Sequence, residues 1–327
     1  MPEPSLPAAS GHLRDEPQRI LVIRLSAFGN IVLSLRPFAA IRAHHRHARI
    51  SALTTPAYAG WFATMPYFDE VLTDSRPPWW DLAGLLRLRR LLVGGRFDRV
   101  YDLQTSGRSS RYYRMFPAAR RPEWSGIAPG ASHYDRAEDR NRVHDMDRQL
   151  NQLRQAGITS FPPLDLSWSY GDVARFGLPG RIALLVPGSS PHRPLKRWPL
   201  TAYAKLAEAL RTRGITPVVL GSAPERALAA GIPAAVDLTG QTTAGDIADL
   251  ARMAGVAIGN DTGPMHLIAA AGCPSVVLFS GESDPALVAP RGPDAGQAVV
   301  VLQRPMLRDL PVEDVLAALP IDATVAA

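Results

Sequence analysis

The sequence predicts an α/β protein with two doubly wound parallel sheets. Strand-like apolar runs and helix-like segments alternate along the chain in two successive rounds, the pattern that builds parallel sheets covered by helices. A proline-containing join, Phe161-Pro162-Pro163, separates the two rounds. The chain has 327 residues, 46% of them hydrophobic, which is enough to bury a large core. Because typical domains have about 150 residues, this length favours two domains.

The first round follows a polar, proline-rich segment, residues 1–17, which is expected to be a disordered extension. Strands are predicted at residues 19–25, 50–53, 70–73 and 99–103, with helices at residues 31–44, 57–64 and 80–93. These elements predict a first Rossmann-like domain at residues 18–170.

The second round predicts another Rossmann-like domain, at residues 171–327, that ends in a helix. Its strands are expected at residues 182–186, 216–220, 235–238, 256–258 and 276–279, with helices at residues 201–212, 224–230, 243–253 and 263–271. In such sheets ligands bind at the carboxyl ends of the strands. Neither round contains Gly-x-Gly-x-x-Gly or Gly-x-x-x-x-Gly-Lys-Ser/Thr, so the simplest arguments for a dinucleotide enzyme or a P-loop NTPase do not apply.

The sequence argues against a membrane-spanning, a secreted and a cysteine-rich protein. No apolar run reaches the roughly 18 residues that a membrane span needs, and the N-terminus lacks a basic-then-apolar signal sequence. We therefore expect a soluble, cytoplasmic protein. The one cysteine, Cys273, excludes an intramolecular disulfide framework and a cysteine-rich zinc site.

Charge is distributed unevenly between the two halves. Residues 1–160 carry 23 Arg, no Lys and 15 Asp or Glu, a formal charge of +8, whereas residues 161–327 carry 11 Arg, 2 Lys and 15 acidic residues, a formal charge of −2. A basic half suits an acidic partner such as a phosphorylated sugar-lipid, nucleic acid or an anionic membrane face. No nucleic-acid motif is present, which makes nucleic acid the least favoured of the three.

The most informative motif follows the apolar run at residues 256–258. Asp261 or Thr262 is expected to cap a helix, Gly263 to let a ligand approach the backbone, and Pro264 to occupy the first turn. His266 lies one turn further along the same face. The outward-facing amides and the positive end of the helix dipole predict a phosphate site. The alternative is a helix start of this type that binds nothing.

Residues 259–266, together with residues 271–274 and 280–285, form a pattern. This pattern resembles the donor-site signature of glycosyltransferase family 9, the ADP-heptose:lipopolysaccharide heptosyltransferases. The resemblance extends from residue 19 to about residue 319. It implies a GT-B fold, in which an N-terminal acceptor domain and a C-terminal donor domain face each other across a cleft. It also implies inverting transfer of heptose from ADP-heptose to an acidic inner-core acceptor of lipopolysaccharide. No metal and no cofactor are expected.

Further donor residues come from the same resemblance. It implies that Ser189, Ser190 and Lys196 contact the donor diphosphate and that Glu225 binds the nucleoside. An ammonium at Lys196 suits a leaving ADP whose negative charge grows as the glycosidic bond breaks. The alternatives are a solvent-facing lysine before a helix and, at Glu225, a first-turn acid favoured by the helix dipole.

The acceptor domain departs from the family pattern at one position. The segment from Arg24 to Asn30 resembles the family's Arg-x-Ser-x-x-Gly-Asp element, whose aspartate is taken to be the general base, but here Asn30 occupies that place. An amide accepts a hydrogen bond but cannot take a proton. Three alternatives stay open: Asp102, at a strand end, supplies the base; the enzyme is slow; or the protein binds a nucleotide-sugar without transferring it. An Asn that caps a Gly-permitted turn is compatible with all three.

Three arginines with i+3 spacing follow Asp102: Arg108, Arg111 and Arg114. On one helix face they would grip an acceptor phosphate or carboxylate, although an arginine stripe is also typical of a solvated surface. The expected partners are thus an ADP-sugar donor and an acidic sugar-lipid acceptor at the inner membrane face, with no protein partner and no nucleic acid. A glycosyltransferase with another nucleotide-sugar is the main alternative, and a peripheral position at the cytoplasmic face of the inner membrane is left open.

Overall fold

The chain forms two six-stranded sheets, each parallel throughout. The computed structural model describes residues 18–190, 192–293 and 299–320, so the extension predicted at residues 1–17 lies outside the described residues. The strands of the first sheet are β1 Arg19–Ile23, β2 Arg49–Thr54, β3 Glu70–Thr73, β4 Arg99–Asp102, β5 Glu123–Gly126 and β6 His133–Tyr134. Their order across the sheet is β3-β2-β1-β4-β5-β6.

The second sheet repeats this topology. Its strands are β7 Ile182–Val186, β8 Thr216–Val219, β9 Val236–Asp237, β10 Val256–Asn260, β11 Ser275–Phe279 and β12 Val299–Gln303. Their order is β12-β11-β10-β7-β8-β9. In each sheet the strand order reverses between two neighbouring strands, which are β1 and β4 in the first sheet and β7 and β10 in the second. Such a switch point leaves a crevice at the carboxyl ends of the strands.

Helices connect the strands in both halves. Those of the first half are α1 Phe28–Val32, α2 Leu35–His44, α3 Pro56–Phe62, α4 Leu82–Gly94, α5 Gly107–Tyr112 and α6 Asp145–Gln155. Those of the second half are α7 Leu200–Thr212, α8 Arg226–Ala229, α9 Ala244–Met253, α10 Gly263–Ala270, α11 Pro285–Val288 and α12 Val312–Ala317. Among the described helices, none combines the length and apolar character needed to cross a bilayer.

The central strands form because their residues are apolar on both faces. Every residue of β7, β10 and β11 is buried, as expected for parallel strands covered by helices on both sides. The α/β prediction and all nine predicted strands are confirmed, with ends that shift by a few residues. The division of the chain at residue 170 stays a prediction.

One predicted helix is two helices in the structure. Residues 31–44 were expected to be continuous, but α1 ends at Val32 and α2 begins at Leu35. Pro37 explains the break, because its ring would clash with the Leu33 carbonyl in a continuous helix and it has no N–H to donate there. In the first turn of α2 the missing N–H costs nothing.

Five elements escaped the sequence interpretation: β5, β6, β12, α6 and α11. The strands β5 and β6 have the sequences Glu-Trp-Ser-Gly and His-Tyr, so neither contains the aliphatic run that marks the predicted strands. The helix α6 is strongly polar, and the apolar side chains that it buries are few, chiefly Met146, Leu150 and Leu153. Asp145 and Asp147, in its first turn, contact residues of the candidate site and of the second half.

Candidate functional site

Two predicted motifs meet at the switch point of the second sheet. β7 pairs directly with β10, so that Val186 lies opposite Gly259. The loop after β7 begins at Pro187, and the segment that leads into α10 begins at Asp261. Because the two strands are neighbours, both motifs lie at the same edge of the sheet, where a ligand site is expected.

A buried amide that the sequence interpretation missed, Asn260, connects the segments at this edge. Its Nδ2 donates to the Pro187 carbonyl at 2.7 Å. Its Oδ1 accepts from the Trp198 amide at 3.1 Å and from the Tyr203 hydroxyl at 3.2 Å. Asn260 thereby ties β10 to the loop after β7 and to the start of α7. The signal in the sequence is a polar residue that ends an apolar strand.

Lys196 and Asp261 form an ion pair at the same edge. Lys196 Nζ lies 2.5 Å from Asp261 Oδ2, and the two side chains are only 12% and 7% exposed. Solvent ions screen such a pair weakly compared with one on the open surface. The pair therefore holds an ammonium group at a defined place beside the N-terminus of α10.

The predicted capping of α10 by a side chain is wrong. Thr262 is the N-cap residue, but its hydroxyl makes no capping hydrogen bond. The Asp261 carboxylate is bound to Lys196 instead, because an ammonium is a stronger partner for a carboxylate than a neutral amide is. Pro264 has no N–H and the Met265 amide donates to the Thr262 carbonyl at 3.1 Å, so the Gly263 amide is the first-turn donor that remains at the positive end of α10 without a side-chain cap.

His266 lies one turn into α10 and is almost fully buried. Its Nε2 is 3.9 Å from Asp261 Oδ1, and its Nδ1 has no hydrogen-bond partner among the described residues. Burial lowers the pKa of His266 to about 4, although the Asp261 carboxylate acts in the opposite direction. The imidazole is therefore neutral near pH 7 and offers a hydrogen bond rather than a charge.

The two predicted donor serines lie in different environments. Ser189 is buried and accepts a hydrogen bond from Arg197 Nε at 3.2 Å. Ser190 is exposed at the surface of the same loop. The buried hydroxyl thus has a partner within the protein, whereas the exposed one is accessible to a ligand.

Glu225 lies over the carboxyl end of β7. Its Oε2 accepts hydrogen bonds from the Ser222 amide at 2.8 Å and the Ser222 hydroxyl at 2.7 Å. A Cβ on Gly188 would lie 1.9 Å from Glu225 Oε1, so only glycine leaves room for this carboxylate. Its present contacts are those of a capping acid, and its role toward a nucleoside stays a prediction.

The switch point of the first sheet is organised by Arg24, which is 2% exposed. Its guanidinium donates to the Leu103 carbonyl at 2.5 Å and to the Asn30 carbonyl at 2.9 Å. It also pairs with Asp145 at 3.0 Å. Asp145, the first residue of α6, was missed in the sequence; an acidic residue before an amphipathic segment was the available signal. These bonds hold the turn that carries Asn30.

The two candidate base positions have opposite exposure. The side chain of Asn30 is exposed, whereas Asp102 is fully buried. Asp102 Oδ1 accepts from the Thr105 amide at 3.0 Å, and burial raises the pKa of Asp102 to about 7. Solvent and ligands can therefore reach the Asn30 side chain but not, in this conformation, the Asp102 carboxylate.

The three predicted acceptor arginines are not equivalent. Arg108 and Arg111 lie on α5, and Arg114 lies in a short 3₁₀ turn that follows it. Arg108 is half-buried and donates to the Pro77 carbonyl at 3.3 Å, whereas Arg111 and Arg114 are exposed. Two of the three guanidiniums are thus accessible near the carboxyl end of β4.

Helices α1 and α10 bring the two switch points together. A Cβ on Gly29 would lie 2.7 Å from His266 Cδ2, and one on Gly263 would lie 2.9 Å from Phe28 Cδ1. Side chains cannot approach so closely, so both glycines are needed for this contact. Phe28 occupies the space that a side chain on Gly263 would take, and the role of Gly263 toward a ligand stays a prediction.

A second contact between the halves involves the start of α6. His144 Nε2 is 2.9 Å from the Ala289 carbonyl, and Arg291 binds both carboxylate oxygens of Asp147, at 2.8 and 2.7 Å. The structure thus gathers Lys196, Asp261 and His266 into one cluster beside α1, while Asp102 stays beneath the surface. Within the described residues, no group of three or more His, Cys, Asp or Glu side chains is arranged to hold a metal ion.

Comparison with known proteins agrees with this geometry. The family model described as glycosyltransferase family 9 (heptosyltransferase) matches residues 85–315. Lipopolysaccharide heptosyltransferase 2 of Escherichia coli strain K12 is 26% identical over 298 residues, which cover 83% of this chain and 85% of that protein. Lipooligosaccharide heptosyltransferase 2 of Haemophilus influenzae is 35% identical over 99 residues, which are 28% of this chain and only 29% of that protein.

A solved structure shows the same fold. The E. coli ADP-heptose lipopolysaccharide heptosyltransferase II structure superimposes with a TM-score of 0.74 at 22% identity, over 92% of this chain and 97% of that one. Two Rossmann-like halves that meet at their switch points form the GT-B fold. The chain belongs to glycosyltransferase family 9.

The contact between α1 and α10 leads to a first prediction. Gly29→Ala should lower the free energy of unfolding by about 1 to 3 kcal/mol, because the added methyl group meets the His266 ring. Gly60→Ala, within α3, is the matched control, since nothing lies within 4 Å of a Cβ there. Thermal and urea unfolding measure both. Equal stability of the two variants would show that α1 and α10 do not pack as described.

Proposed function

We propose that this protein is an inverting, metal-independent glycosyltransferase that moves heptose from ADP-heptose to an acidic inner-core acceptor of lipopolysaccharide. The observation that carries the proposal is the cluster of Lys196, Asp261 and His266 beside the N-terminus of α10. Family membership supports the reaction class, and the cluster supports an anionic donor. ADP-heptose and lipopolysaccharide are named in the descriptions of related proteins.

The cluster suits a nucleoside diphosphate. A diphosphate placed before α10 would meet the Gly263 amide, the positive end of the helix dipole and the Lys196 ammonium. As the glycosidic bond breaks, negative charge accumulates on the leaving diphosphate, so a fixed cation stabilises the transition state more than the ground state. Asp261 then acts by orienting Lys196, and neutral His266 contributes a hydrogen bond.

Charge supplied by the protein makes a divalent metal unnecessary in this proposal. Lys196 and the Gly263 amide take the place that Mg²⁺ has in many phosphate sites. Glu225, Ser189 and Ser190 complete the proposed donor site on the loops after β7 and β8. No cofactor is required for the transfer.

The acceptor is proposed to bind on the N-terminal half. Arg111 and Arg114 are exposed there, and guanidinium groups bind carboxylate and phosphate in a bidentate manner. Arg108, whose side chain is already engaged, is proposed to support them. The acceptor is a sugar-lipid at the cytoplasmic face of the inner membrane, with no protein partner and no nucleic acid.

The acceptor hydroxyl needs a group that takes its proton. Asn30 is exposed but cannot accept a proton, and Asp102 is ionisable but buried. Two further candidates are transfer from a different nucleotide-sugar, because phosphate-binding residues do not specify the sugar, and binding of a nucleotide-sugar with little or no turnover. The exposed amide at Asn30 is the observation that favours the second.

The proposal as a whole is tested by a transfer assay. Incubation with ADP-heptose and a deacylated inner-core acceptor, with EDTA present, should yield an acceptor heavier by one heptose. Parallel reactions with UDP-glucose and GDP-mannose test the alternative donors by product mass. Transfer only after Mg²⁺ is restored would contradict the metal-free reaction, and ADP binding without any product would favour the binding protein.

Lys196→Ala is expected to lower kcat by about 10²- to 10³-fold with a smaller effect on donor affinity. Lys205→Ala, the only other lysine and an exposed one, is the matched control and should behave as the parent. Loss of Lys196 also leaves Asp261 facing the diphosphate unpaired. The Lys196→Ala, Asp261→Asn double variant should therefore bind donor better than the single variant. An unchanged kcat in Lys196→Ala would exclude this lysine from the reaction.

Asn30→Asp introduces a carboxylate of nearly the same shape. If the side chain faces the acceptor hydroxyl, kcat should rise by up to about 10²-fold while donor affinity stays level. The gain should appear only above the pKa of the new carboxylate. Asn141→Asp, an exposed change on the same half, is the control.

The same pH profiles test Asp102. Because the pKa of Asp102 is raised to about 7, a base at Asp102 would make parental activity rise through that pH, and Asp102→Asn would abolish the rise. If neither the Asn30 nor the Asp102 variant changes turnover, neither position holds the base.

A further inference from the structure

Exposed apolar side chains concentrate in one short segment of the N-terminal half. Trp79, Trp80, Leu82 and Leu86 are 76%, 68%, 69% and 51% exposed, and we call these four residues the apolar patch. The two indoles contact each other edge to face, with ring centroids 5.5 Å apart. Transfer of such side chains from water to apolar surroundings lowers the free energy. A contiguous exposed group of this kind therefore indicates an interaction surface.

The core does not need these side chains. Helix α4 buries Gly84, Leu88 and Leu92, which lie on one side because residues four apart share a helix face. Leu82 and Leu86 lie on the opposite side, turned away from the sheet. At these positions the leucine side chains gain little burial within the described chain, so a partner that covers them is the simplest account.

Arginine side chains surround the apolar patch. Arg87, Arg89 and Arg90 are exposed on the same helix. Arg87 forms a long ion pair with Asp81, with 3.9 Å between the charged atoms, and both side chains are exposed to solvent. A surface pair of that kind neutralises little charge. The apolar patch thus projects from a positively charged surface, within the half of the chain that carries the net positive charge.

The apolar patch adjoins the acceptor side of the cleft. In the loop that leads to it, the Pro77 carbonyl accepts from Arg108 at 3.3 Å, and the Arg76 guanidinium donates to the Ser26 hydroxyl. Ser26 lies in the turn between β1 and α1, four residues before Asn30. The loop therefore links the apolar patch to both acceptor-side segments.

We propose that the apolar patch and its arginines dock the protein on an anionic phospholipid bilayer. Indole rings settle at the level of the lipid headgroups, leucines insert below them, and arginines bind the lipid phosphates. A second copy of the chain fits less well, because a twofold contact would bring the arginines of both copies together. The link to the acceptor rests on the proposed function: a lipid-anchored sugar would then reach the cleft from the docked face.

Vesicle binding tests the docking without donor or turnover. The full chain should sediment with phosphatidylcholine vesicles that contain phosphatidylglycerol, and weakly with phosphatidylcholine alone. Trp79→Ala with Trp80→Ala should reduce partitioning about tenfold or more. Arg87→Gln with Arg90→Gln should reduce it about 20- to 30-fold on anionic vesicles, since each arginine near such a surface is worth about fivefold.

Matched controls separate the surface from the residue types. Tyr170→Ala removes an aromatic side chain that is also 76% exposed, and Arg211→Gln with Arg213→Gln removes two exposed arginines of the second half. Both should bind vesicles as the parent does. Absence of vesicle binding, or equal losses in control and patch variants, would overturn the proposal. A parental dimer that the tryptophan changes convert to monomer would assign the apolar patch to self-association and overturn it as well.

Transfer to a deacylated acceptor distinguishes this proposal from the proposed function. The patch variants should use that water-soluble acceptor as well as the parent does, because no bilayer is involved. Vesicle binding without transfer would leave the docking standing and remove the reaction. Transfer without vesicle binding would do the opposite.

Discussion

The contact between α1 and α10 is the constraint on which the site depends. Each helix starts at a switch point, and each has a glycine where the other approaches, Gly29 against the His266 ring and Gly263 against Phe28. With a side chain at either position the two sheets would have to move apart. The close approach places the carboxyl ends of β1 and β4 opposite those of β7 and β10. Ligands bound at the two sheet edges would therefore lie close to each other, as the proposed transfer requires.

Buried charges hold the groups of this cleft in place. Arg24 with Asp145 and Lys196 with Asp261 are pairs whose four side chains are at most 12% exposed. Removing charges from water costs much of what their attraction returns, so such pairs are weak evidence for stability. Their clearer consequence is positional. Arg24 fixes the turn at Asn30, and Asp261 fixes the ammonium of Lys196, so that neither has to be reorganised when a ligand binds.

The acceptor side is where this chain departs from its family pattern. At the position where the family resemblance implies an aspartate, this chain has the exposed amide of Asn30. The carboxylate at the end of the neighbouring strand, Asp102, is buried, and burial raises its pKa to about 7. The donor site of the proposed function has no such gap. The N-terminal half also carries the apolar patch, so under the two proposals proton transfer from the acceptor and delivery of a lipid-linked acceptor concern the same region of the molecule.

The sequence by itself determined the fold class, nine of the twelve described strands and the segments that hold the candidate site, because parallel strands are apolar on both faces and their ends carry the polar motifs. Lys196, Asp261 and His266 could be assigned to one region for that reason. Only the tertiary structure decided what each side chain faces. The partner of Arg24 is 121 residues away, Phe28 fills the space at Gly263, and burial separates Asp102 from the cleft. Local pattern carries no information on such contacts, since they depend on how two distant helices pack.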